Sequence, residues 1–244
     1  MKTFLLCLLT FFAGISNAGA ETITVGAEDD YAPYSSVVDH IAKGFAVDVV
    51  REAFAAVGVT VNFEVLPYTR CLAETKAGHL IGCFDAVPNK LISSSYLWHD
   101  QPLFSTPMNV YSLADSKEHD LTSAALEGKT VGVERGYEYG DAFDLDTKIV
   151  RKVVDKNDQG FKMLLAGRIQ YMAGEERISK ALFKKYPALF GNKFKMVGTV
   201  ATPGLYMAFT KGSPDGAKYL EIFNRGYAVI RSNGKYKAIE EKWF

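Results

Sequence analysis

The sequence predicts an α/β protein built as two lobes with two chain crossings between them. Three observations lead there. Strand and helix patterns alternate between residues 22 and 84, the alternation restarts between residues 125 and 185, and two apolar stretches, Thr106–Tyr111 and Thr202–Phe209, are placed to link the units. Two crossings make the first lobe discontinuous. Residues 21–106 with 207–244 are expected to form lobe 1, and residues 107–206 lobe 2, each a mainly parallel sheet flanked by helices. Such a pair of crossings is a hinge geometry.

The elements follow in order. Met1-Lys2, an apolar run from Phe4 to Ile15, and small residues at Ala18 and Ala20 read as a signal peptide over residues 1–20, cleaved ahead of Glu21. The competing reading, a buried N-terminal helix, accounts for neither Lys2 nor the A-x-A end. Cys7 lies inside the apolar run, away from the cleavage point, which argues against a lipid anchor. Thr22–Ala27 alternates as a strand. Val47, Val50, Phe54 and Val57 stripe a helix stopped by Gly58, Val59–Leu66 is a second strand, Thr69–Lys76 a short helix, and Leu80–Phe84 a third strand.

In the second unit, Thr130–Val133 reads as a strand leading to the turn Glu134-Arg135-Gly136-Tyr137. Asn157-Asp158 is expected to cap a helix closed by Gly167. Ile169–Ala173 is a strand and Ile178–Lys185 a helix. Two helices end the chain, the first striped by Leu220, Phe223, Tyr227 and Ile230, the second spanning Lys235–Trp243.

Composition narrows the function classes. Lys and Arg number 28 against 28 acidic residues, and loss of residues 1–20 removes only Lys2, leaving a charge of −1. A neutral chain lacks the basic footprint of a nucleic-acid binder. No later segment approaches the roughly 18 apolar residues of a membrane span. Cys71 and Cys83 remain after cleavage, and an exported chain favours a disulfide between them over two buried thiols. His40, His79, His99 and His119 show no metal-ligand spacing, and no nucleophile elbow, P-loop or dinucleotide fingerprint is present. No cofactor or metal is expected.

Several segments, in this order along the chain, resemble one family. They are Tyr31-Ala32-Pro33-Tyr34, Gly44-Phe45-Ala46-Val47-Asp48-Val49-Val50, Phe104-Ser105-Thr106-Pro107, Leu126–Val133 with Arg135-Gly136, and Gly234-x-Tyr236-x-x-Ile239. Together they are similar to the periplasmic solute-binding proteins of amino-acid ABC transporters, extracellular solute-binding family 3. The resemblance implies a type II two-lobe fold that closes over a small molecule, lobe 1 returning at the C-terminus. It also implies an Arg ahead of the aromatic-Ser-x-Pro segment that grips a ligand carboxylate through paired hydrogen bonds. Here Val87-Pro88-Asn89-Lys90 offers only Lys90, a point charge without the Arg fork. The carboxylate implied for a ligand amino group falls on Glu175.

The remaining candidates come from the residues. Tyr31 and Tyr34, beyond a strand's carboxyl end, either cover a ligand or pack around Pro33. Arg70, beside the cysteine pair, either replaces the missing clamp or pairs with Asp85. Arg135 and Gly136 form an anion site or a solvated turn. Tyr137 and Tyr139 are placed to line lobe 2's face of the cleft, and Asp48 complements a helix dipole. The expected half-sites are therefore Tyr31, Tyr34, Arg70 and Asp85 from lobe 1, with Lys90 adjoining, and Arg135, Gly136, Tyr137 and Glu175 from lobe 2.

The resulting expectation is a monomeric periplasmic binder of a small polar or zwitterionic solute, serving an inner-membrane ABC permease by hinge closure. Two alternatives share the scaffold: a ligand sensor docking on a membrane receptor, and a cyclohexadienyl-dehydratase-like enzyme using Glu175 or Asp85 as acid or base.

Overall fold

The computed structural model describes residues 21–244, so the expected signal peptide lies outside the described residues. Lobe 1 opens with β1 (Glu21–Glu28), followed by a small antiparallel sheet of β2 (Asp30–Tyr31), β3 (Ser35–Val38) and β4 (Ile41–Lys43). Next come α1 (Phe45–Ala55), β5 (Val59–Leu66), α2 (Tyr68–Ala77), β6 (Gly82–Ala86), β7 (Leu97–Trp98) and β8 (Phe104–Ser105). Lobe 2 holds β9 (Met108–Leu113), β10 (Thr130–Glu134), α3 (Asp141–Asp144), β11 (Val150–Val154), α4 (Asn157–Leu165), β12 (Tyr171–Glu175), α5 (Glu176–Lys185), α6 (Pro187–Phe190) and β13 (Phe194–Ala201). The chain then returns as β14 (Gly204–Phe209), α7 (Asp215–Ser232) and α8 (Lys235–Trp243).

The two main sheets run β5-β1-β6-β14-β7, with β8 on β14, and β11-β10-β12-β9-β13. Each is therefore built on three parallel strands, β5-β1-β6 and β11-β10-β12. Each is completed by a strand that has just crossed from the other lobe and enters antiparallel, β14 on β6 and β9 on β12. In each sheet the strand that crosses between lobes is the one that runs against the others, because the crossing chain has no helix with which to reverse direction.

Packing explains most of the elements. In α1 the buried face is Val47, Val50, Ala53 and Phe54, while Val57 lies past the helix end. Phe54 meets Phe223 of α7 with ring centroids 5.2 Å apart. The two helices touch at Gly226, where a Cβ would come within 1.9 Å of the Ala53 carbonyl oxygen. Lobe 2 packs Phe161 against Phe183, Phe190 and Phe194. Each such buried ring contributes roughly 1.5–3 kcal/mol.

Cys71 and Cys83 form a disulfide with Cα atoms 5.8 Å apart, tying α2 to β6. Gly26 of β1 lies beneath it, where a side chain would collide with Cys71 Sγ. Asn157, expected as a cap, is instead the first residue of α4, and its side chain turns to Glu134.

The crossings are short. The chain passes between sheets at Thr106-Pro107 and again at Thr202-Pro203, and the Thr106 N–H donates to the Pro203 carbonyl at 3.3 Å. The first sheet takes the chain back at Gly204, so residues 204–206 pair within it.

Candidate functional site

Both lobes place carboxylates at the ends of their central parallel strands. Gly26 of β1 is in register with Cys83 of β6, so Glu28 and Asp85, each two residues on, stand at neighbouring strand ends. In lobe 2, β10 ends at Glu134 and its neighbour β12 at Glu175. Glu138 follows in the turn after β10. All five carboxylates are buried. The carboxyl ends of parallel strands are the usual ligand position in open α/β sheets. Here the two sets of ends face one another across the cleft.

Tyrosines bridge the cleft. Tyr34 Oη donates to Glu175 Oε1 at 3.1 Å, Tyr68 Oη to Glu138 Oε2 at 2.8 Å, and Tyr137 Oη to Glu28 Oε1. Every one of these bonds joins a residue of one sheet unit to a residue of the other. Tyr31 sits among them, its ring centroid 5.4 Å from that of Tyr34 and 5.5 Å from that of Tyr137. Further contacts close the rim. Lys156 pairs with Asp30 at 2.7 Å, the Lys90 N–H donates to Asp141 Oδ1, and Asn89 donates to Asp144.

At Gly136 the backbone of lobe 2 comes close to lobe 1. Its φ of 79° suits glycine, and a Cβ would lie 2.3 Å from Thr69 Cγ2 of lobe 1.

A small cavity in the cleft is lined by Glu28, Tyr31, Tyr68, Asp85, Val87, Met108, Tyr137, Glu138 and Leu205. It measures about 10 Å³, room for roughly one water molecule. Outside it, a groove of about 260 Å³ shares Glu28, Tyr68 and Tyr137 with the cavity and adds Asp29, Asp30, Glu134, Asp155, Arg135 and Lys156. That groove is the mouth of the cleft.

The electrostatics are one-sided. Burial pushes the Glu28 carboxyl well above its usual range, against the Tyr137 hydrogen bond and with the charges of Glu134 and Asp85 adding to the rise. Burial likewise raises Glu134 to about 8, helped by the Asp30 charge, and Glu138 to about 8 against its bond from Tyr68. Asp85 is raised well above the carboxylate range by burial and by Glu175. Burial also raises Glu175, with its hydrogen bonds from Thr106, the Ile178 N–H and Tyr34 opposing the rise.

Asp85 differs from the other four. It is 5 % exposed, its backbone takes a φ of 67°, and neither carboxylate oxygen has a hydrogen-bond partner among the described residues. Isolated carboxylates are not buried without compensation. A left-handed backbone on a non-glycine residue marks a position held by its surroundings. Asp85 is an acceptor aimed into the cavity and left open.

Of the residues expected from sequence, the fold brings Tyr31, Asp85 and Tyr137 to one cavity, with Tyr34 and Glu175 bonded beside it and Gly136 at its edge. Arg70, Lys90 and Arg135 are not brought there. Arg70 is 66 % exposed and reaches towards Glu74 at 3.6 Å along α2. Arg135 is 62 % exposed and pairs with Asp155 at 2.7 Å. Lys90 is exposed, and only its backbone faces lobe 2. In each case an outward direction leaves the charge in water, where it needs no partner.

The proposed Arg70–Asp85 pair is likewise not formed. Tyr139 is buried in lobe 2, where its hydroxyl accepts from the Glu134 N–H. His99 is a core residue whose Nε2 accepts from the Met207 N–H, and burial pushes its pKa down to about 3. Among the described residues no His, Cys, Asp and Glu group is arranged to hold a metal ion, and no helix is long and apolar enough to cross a membrane.

The arrangement of two α/β units around an acidic cleft agrees with the chain's likeness to known proteins. The family model for bacterial extracellular solute-binding proteins, family 3, matches residues 23–244. The chain belongs to that family. It is similar to the ABC transporter arginine-binding protein 1 of Escherichia coli K12, 25 % identical over all of this chain and 99 % of that protein. It is also similar to the lysine/arginine/ornithine-binding periplasmic protein of the same organism, 24 % identical over all of this chain and 97 % of that one. Among solved structures, a histidine kinase sensor domain with similarity to periplasmic binding proteins superposes with a TM-score of 0.79 at 20 % identity, covering 91 % of this chain and 96 % of that one. At that identity the likeness concerns the fold alone.

This solute-binding protein thus presents Glu28, Glu134, Glu138 and Tyr68 to its cleft, and the sequence reading named none of them as ligand-facing. One signal was available for two of them. Glu28 and Glu134 sit at the carboxyl ends of strands read correctly from periodicity, the place where ligands meet open sheets.

Proposed function

We propose that this protein captures a small organic cation, bearing ammonium or guanidinium groups, between its lobes and delivers it to an inner-membrane ABC permease. The observation that carries the reading is the open carboxylate of Asp85, buried at the centre of a cleft that holds four more carboxylates. A cationic nitrogen supplies what Asp85 lacks, a charged donor inside a dry site. The ligands for which the two E. coli relatives are named, arginine, lysine and ornithine, have cationic side chains, which agrees with that chemistry.

Binding starts from parted lobes. The hydroxyls of Tyr34, Tyr68 and Tyr137 occupy acceptors that a ligand's N–H groups would take, so ligand bonds replace tyrosine bonds as the solute enters. The rings then cover it, and their faces suit a cation. Closure is driven to the extent that the closed state offers the ligand more than the open one, and carboxylates contributed by both lobes supply that difference. We place the lobe boundaries at Thr106-Pro107 and Thr202-Pro203, in place of 107–206. The protein works as a monomer in the periplasm after cleavage ahead of Glu21, and releases its ligand unchanged.

A thermal-shift and calorimetric screen of residues 21–244 tests this. A ligand at a hundred times its Kd adds about 2.7 kcal/mol, so a true ligand stands out. Cationic amines are expected to raise Tm, while acidic and neutral amino acids are not. Stabilisation by glutamate or an aliphatic amino acid, with none by any cation, would overturn the reading. Recovery of the bound solute chemically intact by NMR separates it from the dehydratase alternative.

A further inference from the structure

We propose that the ligand of this cleft carries no carboxylate: it is a linear diamine or its guanidino counterpart rather than an α-amino acid. This rests on the cation-binding reading above and narrows it. An α-amino acid needs one positive group in the site for its carboxylate, and the lining of the inner cavity provides none, the cations of the cleft mouth, Arg135 and Lys156, being paired with Asp155 and Asp30. The cavity lining contains no lysine, arginine or histidine among the described residues. The cations beside the cleft are engaged elsewhere: Arg70 reaches towards Glu74, Arg135 pairs with Asp155 and Lys156 with Asp30, all more than half exposed, and the Arg177 guanidinium stacks 3.8 Å over the Phe244 ring.

A helix N-terminus is the other common carboxylate receptor. That of α5 is already filled, because Glu175 Oε2 accepts from the Ile178 N–H at 2.6 Å. A ligand carboxylate would therefore enter a buried space beside Asp85, Glu28 and Glu138 with no positive partner, against like charges in a site from which water is largely excluded. Amines at both ends of a methylene chain meet the opposite situation. Lobe 1 presents Asp85 and Glu28, lobe 2 presents Glu138, and the aromatic rings of Tyr31, Tyr68 and Tyr137 line the space between for the apolar stem. The nitrogens satisfy acceptors on both lobes, so such a ligand also ties the closed state together.

Matched pairs that differ only by the carboxylate provide the test: lysine with cadaverine, ornithine with putrescine, and arginine with agmatine, each titrated calorimetrically into residues 21–244. Within at least one pair the decarboxylated member is expected to bind on the order of 100-fold tighter, and in no pair should the amino acid win. Amino acids binding more tightly than their amines would overturn this inference while leaving the cation reading intact. Binding by no member of any pair would overturn both.

Asp85→Asn provides the second arm. Asparagine tolerates the left-handed backbone at this position, so the variant is expected to fold, as circular dichroism will show. Its affinity for the best amine should fall at least roughly tenfold, the ordinary effect of deleting one charged partner. Unchanged amine affinity in folded Asp85→Asn would place the amine elsewhere and overturn the assignment.

Discussion

The two lobes end their central strands in the same kind of residue and treat it in opposite ways. In lobe 2 the carboxylates are provided for within the protein. Glu175 accepts from Thr106, Tyr34 and the Ile178 N–H, and Glu134 accepts from Asn157. In lobe 1, Glu28 has one donor, the Tyr137 hydroxyl from across the cleft, and Asp85 has none among the described residues. Glu175 and Glu134 hold structure, capping α5 and anchoring α4, while Glu138 takes its donor, the Tyr68 hydroxyl, from across the cleft. Lobe 1's acids depend on what enters the cleft. A carboxylate with internal donors stabilises the fold at any ligand concentration, while one without them costs stability until a ligand arrives. The difference places the least provided acceptor, Asp85, on lobe 1 and the acids that cap and anchor helices on lobe 2.

The largest effect that would sharpen this contrast is a pH dependence. Glu134 and Glu138 rise to about 8 from a normal 4.5, and Glu28, Asp85 and Glu175 rise as well. Raised carboxyl groups bind protons in the folded state that the unfolded chain has released. Their contribution is fully present below about 4.5 and is lost as pH rises through about 8. Unfolding free energy of the ligand-free protein, from urea titrations, should therefore fall between pH 5 and 8 by on the order of 4 kcal/mol. A saturating cation should flatten that slope. A stability that rises over this interval would mean that the acids have compensation not visible in the fold.

Next in size is Glu175→Ala, which removes a helix cap together with acceptors for Thr106 and Tyr34. A cap contributes about 1 kcal/mol, and donors stranded in a buried site add more, so a loss of about 3 kcal/mol is expected at pH 7. Equal losses from Glu175→Ala and Asp85→Ala would erase the distinction between the lobes.

Tyr137→Phe should cost about 1.5 kcal/mol, because it leaves Glu28 as bare as Asp85. The measurement that matters is how this loss varies with pH. Below pH 5, with Glu28 protonated in both proteins, the cost should shrink. A cost independent of pH would assign the contribution of Tyr137 to ring packing against Tyr31 and Tyr68.

How much of this could be read in advance differs between fold and site. Periodicity placed β5 and α1 closely, because their buried faces repeat at regular steps, and the pair of crossings gave the lobes. The sheet of β2, β3 and β4 and the strand β11 are not legible in the sequence, since Val37, Val38 and Ile41 in the one and Val150 and Val153 in the other are exposed, so neither stretch alternates cleanly.

In the site, Tyr31, Tyr34, Asp85, Tyr137 and Glu175 were named as candidates and meet at the cleft. Glu28 was read as part of a polar turn because Asp29 and Asp30 follow it. Arg70 shows the other failure. Tyr68, Cys71, Leu72 and Thr75 define the buried face of α2, which leaves Arg70 and Glu74 on the outer side as an i,i+4 pair. Position along the chain was legible, but which way a charge pointed required the helical face to be worked out.

The smallest effect has the opposite sign, and for that reason tests the comparison most directly. Asp85→Asn removes a buried carboxylate that has no partner, keeps the size of the side chain, and places the residue type most tolerant of a φ of 67° at that position. The ligand-free protein should become more stable at pH 8 by about 1 kcal/mol. The gain should vanish below about pH 3.8, where the carboxyl is protonated in the unfolded as well as the native state, and its pH range should match the part of the wild-type slope that the variant loses. Ligand affinity moves the other way, so one substitution raises stability and lowers binding. That combination is expected only of a group kept destabilised for its ligand. If Asp85→Asn instead lowered stability at pH 8, the carboxylate would have a structural role like that of Glu175, and the two lobes would be alike.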